Sequence, residues 1–153
     1  MLNIYLAGEI HTSWREEIIS LSSNKKLQLN FLSPVTNHDA SDNCGVNILG
    51  QEPNQFWKDH KGAKINAIRT RKAILDCDII IVKFGDRYKQ WNAAFDAGFA
   101  SAHNKSIIVI HSQEHQHALK EIDAAALAVV SENHQVVEIL DYVMNGKLKI
   151  NNV

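Results

Sequence analysis

Short apolar runs alternate with longer amphipathic segments along the chain, a pattern typical of a parallel α/β sheet. Five runs have the length and apolar content of buried strands, at residues 3–7, 27–32, 78–84, 106–110 and 127–130. The periodicity predicts helices at residues 13–21, 55–77, 90–103 and 133–144, with a partly helical segment at 113–125. We therefore expect a single α/β domain over residues 1–153, a Rossmann-like or flavodoxin-like three-layer sandwich around a mostly parallel five-stranded sheet.

Local signals refine this outline. Ser13 and Glu16 have the spacing of a capping box, which predicts that Ser13 caps the first helix. Residues 34–54 are rich in turn formers and lack a clear period, so we expect a long loop there. Gly98 interrupts an apolar helix and indicates a close packing partner. In such folds ligands bind where the strand order reverses, so we expect the site in the loops after strands one and three.

Composition and charge exclude several classes of function. The chain has 153 residues and a formal net charge of -1, so no broad electrostatic field favours a nucleic acid polymer or a membrane surface as partner. Cys44 and Cys77 do not form a disulfide framework, which fits a reducing compartment. No apolar run reaches the roughly 18 residues of a membrane helix, and the polar start does not resemble a signal peptide. We expect a cytoplasmic protein.

The loop after the first strand, GEIHTSWR, is a candidate anion site. Gly8 permits a sharp turn, and the helix that follows offers free N–H groups and a partial positive charge. Arg15 in the first helical turn would add a forked set of donors for a phosphate. The alternative is that Ser13 is only a cap and Arg15 only a solvated charge. The loop lacks a GxGxxG or P-loop pattern, so nothing indicates a dinucleotide site.

One carboxylate, Asp96, interrupts the apolar stretch QWNAAFDAGFA at residues 90–100. Burial of an unpaired carboxylate is costly, so Asp96 is expected to be paired, hydrogen-bonded or facing a cavity. Partial burial would also raise its pKa. The residues alone leave two interpretations open, a functional carboxylate and a polar edge on a mostly buried helix.

Other polar groups give weaker signals. The long helix carries a cluster that we interpret mainly as a solvated face, comprising Asp59, His60, Lys61, Lys64, Asn66, Arg69 and Arg71. His115 and His117 lack a third ligand at a usual spacing, so we predict no metal site. We likewise expect no organic cofactor.

Four segments together strongly resemble the YtoQ family: IYLAGEIHTSWREE, SPVTNHDASD, FWKDHKGAKINAIRTR and KFGDRYKQWNAAFDAGFA. The resemblance covers nearly the whole chain. That family is in turn similar to the nucleoside 2-deoxyribosyltransferases and to the 2'-deoxynucleoside 5'-phosphate N-hydrolases. The resemblance implies that Asp96 stands where those enzymes carry a glutamate that attacks the anomeric carbon of deoxyribose. It also implies that Tyr5 matches the tyrosine that orients this nucleophile.

The same resemblance implies a set of substrate contacts. The first loop matches the loop that grips the 5'-phosphate in the hydrolases, and the next contacts follow strand three. The implied contacts are Gly8, Glu9, His11, Ser13, Arg15, Asp86, Gln90 and Asn92. This chain departs from the pattern, since Gln90, Asn92 and Thr70 replace an aspartate, a glycine and another aspartate. The general acid is therefore left open among Asp86, Glu9 and Asp59.

The residues and the resemblance together predict an enzyme that cleaves or transfers the N-glycosidic bond of a nucleoside or nucleotide. The alternative is a non-catalytic nucleotide-binding or sensing module, and a flavodoxin-like flavin binder is a third possibility on the same fold. The expected partner is a small nucleoside or nucleotide. Since the similar transferases are oligomers whose neighbouring subunits complete the sites, we expect a homodimer or higher homo-oligomer, with Trp57 and Trp91 as candidate interface residues.

Overall fold

All strands of the sheet run parallel, in the order β2-β1-β3-β4-β5. The computed structural model describes residues 1–146, and residues 147–153 of the predicted domain lie outside that range. The elements are β1 (Leu2–Gly8), α1 (Trp14–Asn24), β2 (Leu29–Leu32), α2 (His38–Leu49), α3 (Gln55–Asp76), β3 (Ile79–Lys83), α4 (Trp91–Ala102), β4 (Ser106–Ile110), a 3₁₀ turn (Gln113–His115), α5 (Lys120–Ala125), β5 (Ala128–Val130) and α6 (Asn133–Asn145). The predicted α/β class with a five-stranded parallel sheet is confirmed.

Both faces of the sheet are buried, which explains why the strands are apolar at consecutive positions. Tyr5 and Ile80 point to the face that packs against α3, α4 and α5. Ile4 and Ile81 point to the opposite face, which packs against α1 and α6. Within residues 1–146, no helix combines the length and apolar content needed to cross a membrane.

The long loop predicted for residues 34–54 is wrong, because residues 38–49 form α2. The Asn37 side chain caps this helix by accepting a hydrogen bond from the Ala40 N–H at 2.8 Å. Two glycines then let α2 lie very close to α3, since a Cβ added at Gly45 would lie 2.7 Å from the Gly62 nitrogen. A helix held by small residues leaves no apolar period in the sequence, which is why the pattern did not reveal it.

Two local expectations are also wrong. Ser13 occupies the position before α1, but its side chain makes no capping hydrogen bond and its backbone is not extended as capping requires. Gly98 has no close packing partner among residues 1–146, because a Cβ added there would meet nothing within 4 Å in that part of the chain.

The strand order reverses between β1 and β3, and the loops after these two strands lie side by side. Gly8 makes this possible, because it has a φ of +105° and an added Cβ would lie 2.1 Å from the Lys83 carbonyl oxygen. The Glu9 N–H then donates to that same oxygen at 3.0 Å. Helices α3 and α4 flank the reversal on one face of the sheet and leave a space between them.

Candidate active site

A cleft of about 830 Å³ opens at the reversal of strand order. The loops after β1, β2 and β3, the start of α2, one side of α3 and the first half of α4 form its walls. This position agrees with the expectation that ligands of such sheets bind beyond the carboxyl ends of the strands.

Asp96 lines this cleft from the second turn of α4, one turn after Asn92. Its side chain is partly buried, and among residues 1–146 no hydrogen bond or ion pair reaches its carboxylate. Burial raises the pKa of Asp96 from 3.8 to about 6. The structure thus places a partly desolvated, unpaired carboxylate against an open cavity, the costly arrangement that usually marks a function.

Tyr5 is fully buried in the middle of β1 and points to the same side of the sheet as α3 and α4. Its hydroxyl has no hydrogen bond of normal geometry within residues 1–146, although Thr70 faces it and acts to lower its pKa. Burial, and then the charge of Asp96, raise the pKa of Tyr5 to about 12. Tyr5 is therefore a protonated, unused donor within electrostatic reach of Asp96.

Glu9 holds the first loop in shape. Its buried carboxylate accepts hydrogen bonds from the His11 N–H, from the Thr12 N–H at 2.8 Å and from the Thr12 hydroxyl at 2.6 Å. Burial would raise the pKa of Glu9, but these hydrogen bonds and the nearby Arg15 lower it below its ordinary value. An ionised carboxylate held this firmly is a poor proton donor.

Arg15 and Ser13, the expected phosphate contacts, do not line the cleft. Arg15 is buried, and its nitrogens donate to the carbonyl oxygens of Leu6 at 3.0 Å, Glu9 at 2.6 Å and Gly8 at 3.1 Å. Its guanidinium is thus a support of the loop backbone and does not line the cleft. Ser13 is exposed, but it also lies outside the lining.

Gln90 and Asn92 stand at the start of α4 and both line the cleft. The Gln90 side chain ties the loop after β3 together, since it accepts from the Gly85 N–H at 3.1 Å and donates to the Arg87 carbonyl at 2.6 Å. The Asn92 side chain is exposed and makes no hydrogen bond within residues 1–146, so its donors and acceptor are open to a ligand.

Asp86, expected to contact substrate, does not line the cleft. It is exposed and accepts a hydrogen bond from the Ser112 hydroxyl at 3.0 Å, beside a separate cavity of about 410 Å³. This separation weakens the case for Asp86 as the general acid. Asp59 does line the cleft and accepts from the Gln55 side chain at 2.6 Å.

Sequence reasoning missed several residues of the cleft. His11 was expected there, but its aromatic neighbour Tyr88, with ring centroids 4.6 Å apart, was not. The larger omission is α3, where His60, Lys64 and Arg71 line the cleft although their cluster looked like a solvated face. Their spacing of four and then seven residues places them on one side of a helix, and this was the available signal.

The described residues show no metal centre. Within residues 1–146, no group of three or more His, Cys, Asp or Glu side chains is arranged to hold a metal ion.

Comparison with known sequences gives one consistent family. The family model described as nucleoside 2-deoxyribosyltransferase YtoQ matches residues 5–144. A curated relative, the uncharacterized protein YtoQ of Bacillus subtilis (strain 168), is 43% identical over 139 residues, which span 91% of this chain and 94% of the relative.

Three solved structures share the fold. A 2-deoxyribosyltransferase from Bacillus psychrosaccharolyticus is 17% identical with a TM-score of 0.54, covering 88% of this chain and 90% of its own. The CMP N-glycosidase BcmB of Clostridium botulinum is 17% identical with a TM-score of 0.50, covering 92% and 98%. A conserved protein from Enterococcus faecalis V583 is 15% identical with a TM-score of 0.61, covering 94% and 99%. At these identities the likeness establishes the fold alone.

Proposed function

This chain belongs to the nucleoside 2-deoxyribosyltransferase YtoQ family, and on that premise we propose that it cleaves the N-glycosidic bond of a nucleoside or nucleotide. The observation that carries the proposal is the unpaired, partly buried carboxylate of Asp96, which faces a cleft at the reversal of strand order. Two proteins of the same fold have names that refer to reactions at such bonds, a 2-deoxyribosyltransferase and a CMP N-glycosidase. They support this class of substrate.

In the proposed reaction, a carboxylate oxygen of Asp96 attacks C1' of the sugar. The C1'–N bond breaks, its electron pair leaves with the base, and the base gains a proton from a general acid, for which Asp59 is the candidate left in the cleft. That acid recovers its proton from the incoming water or second base in the next step. The ester between Asp96 and C1' is then opened by water, which completes hydrolysis, or by a second base, which completes transfer. Both outcomes regenerate the carboxylate. A pKa of about 6 leaves Asp96 largely ionised, and therefore nucleophilic, at neutral pH.

The neighbouring side chains have roles that follow from their positions. Tyr5 keeps its proton and would donate a hydrogen bond toward Asp96 once substrate draws the carboxylate into place. Asn92, one helical turn before Asp96, would bind a sugar hydroxyl. Gly8 and Glu9 fix the shape of the loop after β1, and the Gln90 side chain stabilises the loop after β3.

A direct assay tests the proposal. The protein is incubated with 2'-deoxynucleosides, ribonucleosides and their 5'-monophosphates, and free base is measured by chromatography. Asp96→Asn should reduce base release by at least about 1,000-fold, because a covalent step that needs a carboxylate is lost. Asp86→Asn is the matched control, since it removes the same charge outside the cleft and should leave the rate within about twofold. Equal rates in wild type and Asp96→Asn would refute the proposed nucleophile.

A non-catalytic nucleotide-binding module is the second candidate. It is favoured because two of the three carboxyl groups expected to act as general acid are not available for that role. Retaining glycosidases place two carboxyl groups about 5 to 5.5 Å apart. Here Glu9 is committed to the loop and Asp86 lies in another cavity, so Asp59 is the carboxylate left among the three expected acids. A binding module would be stabilised by nucleotides in thermal unfolding without release of base from any of them.

We also propose that the protein is a homodimer or a larger homo-oligomer. Large apolar side chains are exposed around the cleft on two helices. Phe56 and Trp57 project from the start of α3, and Trp91 and Phe95 from the start of α4. Burial of such side chains against a second subunit would be favourable, and it would enclose the cleft.

A further inference from the structure

Two cations on α3 line the cleft without a protein partner. Lys64 and Arg71 are exposed, and within residues 1–146 neither forms an ion pair or a hydrogen bond. The Arg71 guanidinium lies near the aromatic ring of Phe99 on α4. The small residue Ala67 lies between Lys64 and Arg71 on α3 and also lines the cleft.

Lys64 and Arg71 form a cationic wall on the α3 side of the cleft, and Asp96 lines the α4 side. Helices α3 and α4 both return the chain between parallel strands of one face, so they run side by side in the same direction. The Arg71 guanidinium lies 6.0 Å from the centroid of the Phe99 ring, and Phe99 lies on α4 about one helical turn after Asp96. The open cleft separates the carboxylate from both cations.

The other carboxylates of the cleft are already engaged. Asp42 pairs with the His38 imidazole at 3.0 Å, and Asp59 accepts a hydrogen bond from Gln55 at 2.6 Å. Neither forms an ion pair with Lys64 or Arg71. The two cations are therefore available to an anionic group of a ligand, and guanidinium and ammonium donors together suit a phosphate.

We propose that Lys64 and Arg71 bind the phosphate of the substrate, so that the protein selects nucleoside monophosphates over nucleosides. The choice of ligand rests on the proposed function. The sequence predicted a phosphate site in the loop after β1, but the Arg15 guanidinium in that region donates its hydrogen bonds to backbone carbonyl oxygens. With the phosphate on α3 and the sugar against α4, C1' of a monophosphate lies on the side of Asp96.

Isothermal titration calorimetry tests this assignment. The wild type and Asp96→Asn are titrated with the common 2'-deoxynucleoside and ribonucleoside 5'-monophosphates, with the matching nucleosides and with inorganic phosphate. We expect each monophosphate that binds to do so at least about tenfold more tightly than its nucleoside, because charge-assisted hydrogen bonds to phosphate are lost in the latter. Lys64→Ala and Arg71→Ala should each weaken the monophosphate by about tenfold or more and leave the nucleoside unchanged.

Lys72→Ala is the matched control, because Lys72 is an exposed cation on the same helix that pairs with Asp76 and does not line the cleft. It should bind every ligand as the wild type does. Thermal unfolding of each variant confirms that the fold is kept.

The outcomes separate this inference from the proposed chemistry. Selective loss of monophosphate binding in Lys64→Ala and Arg71→Ala supports the phosphate site even where no base is released by any protein. Equal affinity for nucleosides and monophosphates would overturn it, whatever the turnover assay shows. So would equal weakening of both ligand classes by the two variants, or the absence of binding by every monophosphate.

Discussion

The raised pKa of Asp96 shows directly that burial of its carboxylate costs free energy. In water its carboxyl would ionise near pH 3.8, but burial raises the pKa to about 6. Between pH 3.8 and about pH 6, the folded protein therefore keeps this proton on Asp96, whereas the unfolded chain has released it. The free energy of unfolding falls as the pH rises through this range, and above about pH 6 the full cost of burying the ionised carboxylate is present.

Asp96→Asn should therefore stabilise the protein at pH 7. A difference of about two pKa units corresponds to at most about 3 kcal/mol, and we expect a gain of about 1 to 3 kcal/mol. The measurement is urea unfolding of both proteins between pH 5 and pH 7.5. The gain should shrink as the pH falls toward 5. A variant that is no more stable than wild type at pH 7 would show that the carboxylate is solvated.

The loop residues Glu9 and Arg15 illustrate the opposite case, in which charges serve the fold. Glu9 accepts from its own loop, and Arg15 donates to three carbonyl oxygens of the same turn. Burial of a charged group is tolerated when hydrogen bonds satisfy it. This network fixes the loop before any ligand arrives, so less order must be gained on binding.

At the scale of elements, the contact between α2 and α3 depends on missing side chains. Gly45 lies so close to Gly62 that a methyl group has no room, with 2.7 Å to a backbone nitrogen. Helix α2 is thereby held against the helix that carries the cationic wall. The packing of this pair fixes the position of one side of the cleft.

Gly45→Ala should lower stability by about 2 to 4 kcal/mol, because backbone atoms of α3 would have to move. Gly98→Ala is the control, since it is also a helical glycine but has open space around it. That substitution should raise stability by up to about 1 kcal/mol, the difference in helix propensity. Thermal unfolding of both variants gives the comparison, and a Gly45→Ala protein as stable as wild type would contradict the close crossing.

At the scale of the whole molecule, the reversal of strand order determines where the cleft lies. β1 and β3 are neighbouring parallel strands, and the helices that follow them, α1 and α4, cover opposite faces of the sheet, so the loops after the two strands diverge and leave a cleft at their carboxyl ends. The exposed apolar groups around that cleft predict self-association. Multi-angle light scattering should give at least twice the monomer mass, and Trp91→Lys should reduce it. A monomeric wild type at about 100 µM, far above the Kd of a stable dimer, would contradict the proposed oligomer.

The sequence determined the strand and helix pattern, because burial on both faces demands apolar residues at every strand position. It also singled out Asp96 and the loops after β1 and β3, because a lone carboxylate and sharp turns are visible in a linear pattern. It could not reveal α2, whose packing rests on glycines, nor separate Asp86 from the cleft. Nor could it show that Arg15 donates to backbone carbonyls or that one side of α3 lines the cleft. Whether a charged side chain binds its own backbone or faces a cavity depends on groups far along the chain, which only the tertiary structure brings together.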